Sequence, residues 1–132
     1  MTHLLDTSVC VHILRGHRPT LRRFSELKPG FVALASMTLA ELRYGEIKGN
    51  SPVAARRRLA SLIDACVILP FDRQAAEHHA RGRHALALAG TPIGERDLVI
   101  ASTALANGLA VATGNATEFR RVPGLEVEEW RW

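Results

Sequence analysis

Short, uniformly apolar runs alternate along the chain with longer segments of helical spacing. The runs are "HLL" before Asp6, "FVALAS" (31–36), "CVILPF" (66–71) and "LAVATG" (109–114), and "LEVEEW" (125–130), half of it glutamate, is a fifth strand-sized segment. Each is bounded by glycine, proline or polar residues and is strand-sized, so each predicts a β-strand. Between them, residues 8–14 predict a helix stopped by Gly16. A second helix starts near Pro19 and runs through "TLRRFSELK" to Pro29-Gly30. "MTLAELRYGEIKG" (37–49) and "VAARRRLASLIDA" (53–65, opened by Pro52) carry helical periodicity. Asp72 caps a long helix through 75–90, and "ERDLVIASTALANG" (95–108) ends at Gly108, a good C-terminal stop. Strands that are apolar throughout and alternate with helices indicate a parallel sheet covered on both faces.

Composition narrows the classes without choosing among them. The chain has 132 residues and is 47% hydrophobic, enough for one domain, 1–132, with a core of its own. No run of about 18 apolar residues offers a membrane span, and the start lacks a secretory pattern, so a cytoplasmic protein is expected. Cys10 and Cys66 lie in apolar contexts outside any CxxC, which suits buried thiols. Net charge is +4, and two of the seventeen cations are lysines, the rest arginines. Arginine's planar fork suits phosphate, and a GC-rich genome explains the same bias, so charge carries little weight.

The chemistry lies in four acids. In parallel sheets, ligands bind beyond the carboxyl ends of the strands. Asp6 stands at one such end, where it is either a helix cap or one arm of a metal site. Glu41 closes "TLAE" (38–41), which also fits a capping box. Asp97 opens a helix just ahead of the apolar "LVIA". Glu118, in "NATEF", follows the fourth strand and is otherwise a solvated loop residue. Gathered at one sheet edge, these carboxylates would repel one another and form an oxygen-rich site for Mg²⁺ or Mn²⁺. Such a site supports attack of water on a phosphodiester.

"LLDTSV", "MTLAELRYG", "TPIGERDLVIAS" and "TGNATEFRRVPGL", in that order, resemble the four motifs of PIN-domain ribonucleases, most closely the VapC toxins of toxin–antitoxin pairs. The resemblance covers nearly the whole chain. It implies an α/β fold, a three-layer α/β/α sandwich around a mainly parallel sheet of about five strands. It also implies a metal-dependent endoribonuclease acting on tRNA or other structured RNA. By the same resemblance, Asp6, Glu41 and Asp97 match the three core acids, with Asp6 and Asp97 as metal ligands, and the fourth acidic function falls on Glu118. Thr7, Ser8 and Thr113 are then supports that hydrogen-bond the acids, with simple helix capping an equal alternative for the first two. Asn115 stands where many relatives carry aspartate, and so adds orientation but no charge. The implied partners are RNA, a VapB-type antitoxin that blocks the site, and a second copy in a homodimer.

Two rivals remain at this point. One is a catalytically inactive binding module of the same fold. The other is an aspartyl-phosphate or receiver-type domain, although "DTS" lacks the second acid of a DxD. Other signals point to structure. His78, His79 and His84 lack zinc-helix spacing. "RRR" (56–58) reads as a solvated face, Trp130 and Trp132 as packing more than base stacking, and Tyr44 as core or dimer interface.

Overall fold

The computed structural model describes residues 2–132. Strands β1 (His3–Leu5), β2 (Val32–Ala35), β3 (Val67–Leu69), β4 (Ala110–Thr113) and β5 (Val127–Glu129) form one sheet in the order β3-β2-β1-β4-β5. Every pairing is parallel. The chain therefore winds outward from β1 to β3, returns to the far side of β1, and winds outward again. That reversal opens a crevice between the ends of β1 and β4, where ligands bind in sheets of this kind.

Period-two alternation sorts the strand residues into two cores. Leu4, Ala33, Ala35 and Val111 point to one face, where α5 (Arg73–Ala89) and α6 (Glu95–Ala106) cover them with Leu86, Leu98, Ile100 and Ala104. Leu5, Val32, Leu34 and Ala112 point to the other. There α1 (Thr7–Leu14) supplies Val9, Cys10 and Ile13, and α4 (Val53–Ala65) supplies Leu59 and Leu62. Helix α2 (Arg18–Ser25) lays Leu21 and Phe24 against that core. Helix α3 (Ser36–Lys48) sends Leu42 to one core and Met37 to the other, and so joins the layers. The short α7 (Ala116–Phe119) buries Phe119 beneath β4 and β5. Among the described residues, no helix is long and apolar enough to cross a membrane.

Some expectations shift. Helix α2 ends at Ser25, short of Lys28, because Pro29 forces its predecessor out of helical conformation and the chain tightens through Glu26 and Leu27. Cys10 is buried as expected, whereas Cys66 is only half-buried. Burial still pushes the Cys66 thiol up to about 11. Arg58 is not a freely solvated member of the triplet: its guanidinium donates to the Leu14 carbonyl at 3.2 Å and packs on Gly16. Tyr44 is 64% exposed, so it is no core residue.

The C-terminal segment closes the second core. Trp130 is buried, its backbone N–H donates to the Thr113 carbonyl at 2.8 Å, and its indole N–H donates to Glu128 at 2.9 Å. Trp132 stacks on His12 with ring centroids 3.6 Å apart, and lies over Gly114 where a Cβ would meet the ring. Trp130→Ala should cost about 3–5 kcal/mol in denaturant unfolding, as for a large aromatic removed from a packed core. A loss under about 1 kcal/mol would mean that β5 closes the sheet without this anchor.

Candidate active site

Asp6 follows β1 directly, with β-type backbone angles that end the strand and start α1. Its Oδ1 accepts from the Val9 N–H at 3.0 Å and from the Ser8 hydroxyl at 2.7 Å, and its Oδ2 accepts from the Thr113 hydroxyl at the end of β4. Asp6 is thus both a helix cap and the floor of the crevice. Burial raises its carboxyl above the ordinary value, and the donors from Thr113, Val9 and Ser8 oppose that rise.

Glu41 does not close a capping box. Helix α3 begins at Ser36 with Ala35 as its cap, so Thr38 already lies inside the helix and has no free end to cap. The Glu41 carboxylate instead turns toward α1, accepting from the Thr7 hydroxyl at 2.8 Å, with Arg96 3.6 Å away. Glu118, on α7, accepts from the Gly94 N–H at 2.7 Å and from the Asn115 amide at 2.5 Å. Asn115 and Glu118 are therefore joined on one face of a helical turn. The Asn115 backbone N–H in turn donates to Thr113 at 2.8 Å, which links the fourth acid to Asp6.

Asp97 differs from the other three. It lies half-buried in the first turn of α6, and among the described residues no protein donor hydrogen-bonds its carboxylate. Burial pushes its carboxyl up to about 6, and the charges of Glu118, Asp6 and Glu41 each add to the rise. All four acids therefore share one electrostatic neighbourhood, reached from β1, α3, α6 and α7. Each of the four supporting residues bonds an acid: Ser8 and Thr113 to Asp6, Thr7 to Glu41, Asn115 to Glu118.

The donor set fits a hard divalent cation. It is all oxygen, it carries an excess of negative charge, and its one unpartnered carboxylate is held well above its ordinary value. Among the described residues, no three ligating side chains converge tightly enough to enclose an ion. Mg²⁺ in general takes one or two carboxylates and keeps waters for substrate phosphates. His79 is engaged elsewhere, with Glu95 at 2.9 Å. Sequence reasoning passed over Gly94, whose N–H holds Glu118, and Arg96, which faces Glu41. Both stand within three residues of Asp97, and only the fold reveals what they touch.

A family model described as PIN domain matches residues 3–125. The tRNA(fMet)-specific endonuclease VapC of Salmonella typhimurium is 35% identical over 127 residues, covering 96% of each chain. Among solved structures, VapBC2 from Rickettsia felis bound to a promoter DNA fragment matches with a TM-score of 0.89 and 31% identity, covering 98% of this chain and 99% of that one. DNA-bound VapBC from Salmonella typhimurium matches with a TM-score of 0.85 and 36% identity, covering 98% of each chain.

The raised Asp97 carboxyl carries a stability prediction. Its folded value exceeds its ordinary 3.8, so the native state binds more protons between about 4 and 6 and loses stability as pH rises through that window. Asp97→Asn should therefore raise the Tm of metal-free protein at neutral pH, with the gain shrinking as pH falls through about 6. A gain that does not change with pH would place its origin outside the carboxylate charge.

Proposed function

The chain belongs to the PIN-domain family and, within it, to the VapC toxins of toxin–antitoxin pairs; from that membership and the acid pocket, we propose that it is a divalent-metal-dependent endoribonuclease. The observation that carries the proposal is Asp97: a carboxylate without a protein donor, raised by burial and further by the charges of Glu118, Asp6 and Glu41, near the crevice between β1 and β4. Repulsion of that kind is relieved by a cation, and a protein gains little by retaining it without one.

Asp6 and Asp97 would hold Mg²⁺ or Mn²⁺ directly, and Glu41 and Glu118 would complete the pocket through water. When bound, the ion supplies Lewis-acid polarisation of the phosphodiester and activates water for attack. The protein's share is positioning. Ser8, Val9 and Thr113 fix the Asp6 carboxylate so that it meets the ion without reorganising. Thr7 fixes Glu41, and the Gly94 amide with Asn115 fixes Glu118. Because Asp97 is raised to about 6, it is largely ionised only at neutral pH and above, where it is ready to bind the ion.

The substrate class proposed is structured RNA, with tRNA favoured by the Salmonella relative, which is tRNA(fMet)-specific by name. The VapBC structures support a VapB-type antitoxin as partner, and a homodimer completes the proposal. A nuclease acting on RNA inside the cell would work in the cytoplasm.

Asp6→Ala, Glu41→Gln and Asp97→Asn should each lower cleavage by more than the roughly 10- to 100-fold typical of supporting partners. Since Glu41 caps nothing, its glutamine variant should melt like the wild type. A chelator should stop the reaction and Mg²⁺ or Mn²⁺ restore it; cleavage at wild-type rates by Asp6→Ala or Asp97→Asn refutes the metal-site reading.

The fourth position ranks by charge. Glu118→Gln should lose more activity than Asn115→Ala, and should need more Mg²⁺, because Asn115 acts on Glu118 through one hydrogen bond. Rates for both at saturating metal on one RNA decide this. The reverse order gives the fourth role to Asn115.

A further inference from the structure

One turn beyond Glu41 on α3, Tyr44 holds its ring out to solvent, 64% exposed. Lys48, a further turn on, carries its ammonium 5.3 Å from the ring centroid. Arg96, from the start of α6, closes the other side, and these residues with Met37, Glu41 and Gly45 line an open cavity of about 520 Å³. That is a volume in the range of small-ligand sites. Gly45 stands inside the helix, where glycine is unfavourable, yet nothing lies within 4 Å of the Cβ it lacks. Packing within the chain therefore does not demand the glycine.

We propose that this cavity binds the nucleotide next to the scissile phosphate: Tyr44 stacks on its base, Lys48 and Arg96 hold its phosphate, and Gly45 lets the backbone approach. The inference rests on the nuclease reading and names a subsite for it. An exposed aromatic ring beside cations is the usual means of holding an unpaired base and its backbone. Charge complementarity points the same way. The acid pocket repels a phosphodiester, and Lys48 and Arg96 provide attraction at its edge. Arg96 can serve both roles, since its side chain is 74% exposed and meets Glu41 only at 3.6 Å.

The test measures binding, by fluorescence anisotropy, in an Asp97→Asn background that does not cleave. Two probes are used: a single-stranded oligouridylate of about twelve nucleotides, and an abasic ribose-phosphate chain of equal length. Tyr44→Ala should weaken oligouridylate binding about tenfold and leave the abasic chain unaffected, while Tyr44→Phe binds like the parent. Lys48→Ala should weaken both probes and lower the salt slope by about 0.7. Equal loss on both probes with Tyr44→Ala, or a change of oligomeric state in sedimentation, overturns the subsite and makes Tyr44 a structural or interface residue. The two readings fail separately. Absence of metal-dependent RNA cleavage by the wild-type protein refutes the nuclease, whereas a cleaving enzyme indifferent to Tyr44→Ala refutes the subsite alone.

Discussion

Asp6 is a buried carboxylate, and burying a charge is costly unless donors surround it. Here the donors come from two directions in the chain: Ser8 and Val9 just downstream, and Thr113 from the end of β4. The same bonds start α1, tie β1 to β4 across the point where the sheet reverses, and aim a carboxylate into the crevice. Thr113 is shared further, because its hydroxyl also accepts from the Asn115 N–H and its carbonyl accepts from Trp130. The turn carrying Glu118 and the closing strand are both registered on that one residue.

Around this fixed point, the other acids are held with unequal firmness. Glu41 and Glu118 each have a donor at hydrogen-bonding distance, whereas Asp97 has burial and three like charges. A chain optimised only for stability would not keep that arrangement. The repulsion is concentrated at the carboxyl ends of the strands, and the two apolar cores beneath it carry the fold. Stability and chemistry are thus divided between the interior and one edge of the sheet.

Much of this was legible in the sequence because parallel strands announce themselves by burial on both faces. "FVALAS" and "LAVATG" have no polar side to show, and β2 and β4 are found within them. The acids were legible as a set through the order of their motifs. Their geometry was not. "TLAE" matches a capping box, yet α3 begins at Ser36, because β2 delivers the chain straight into the helix and leaves Thr38 no end to cap. Tyr44 has the spacing of an amphipathic helix, and only the placement of α3 between the two cores shows that this face meets solvent. Contacts such as Gly94 with Glu118 join residues 24 positions apart, and no local pattern encodes them.

The central claim is that four carboxylates share one pocket whose repulsion a divalent cation relieves. It is tested most directly by a carbon-detected NMR titration of the Asp97 carboxyl, with and without saturating Mg²⁺. In metal-free protein the group should titrate near 6, and Mg²⁺ should drive the value down, since the cation favours the charged form. An ordinary value in metal-free protein, unchanged by Mg²⁺, would contradict the account.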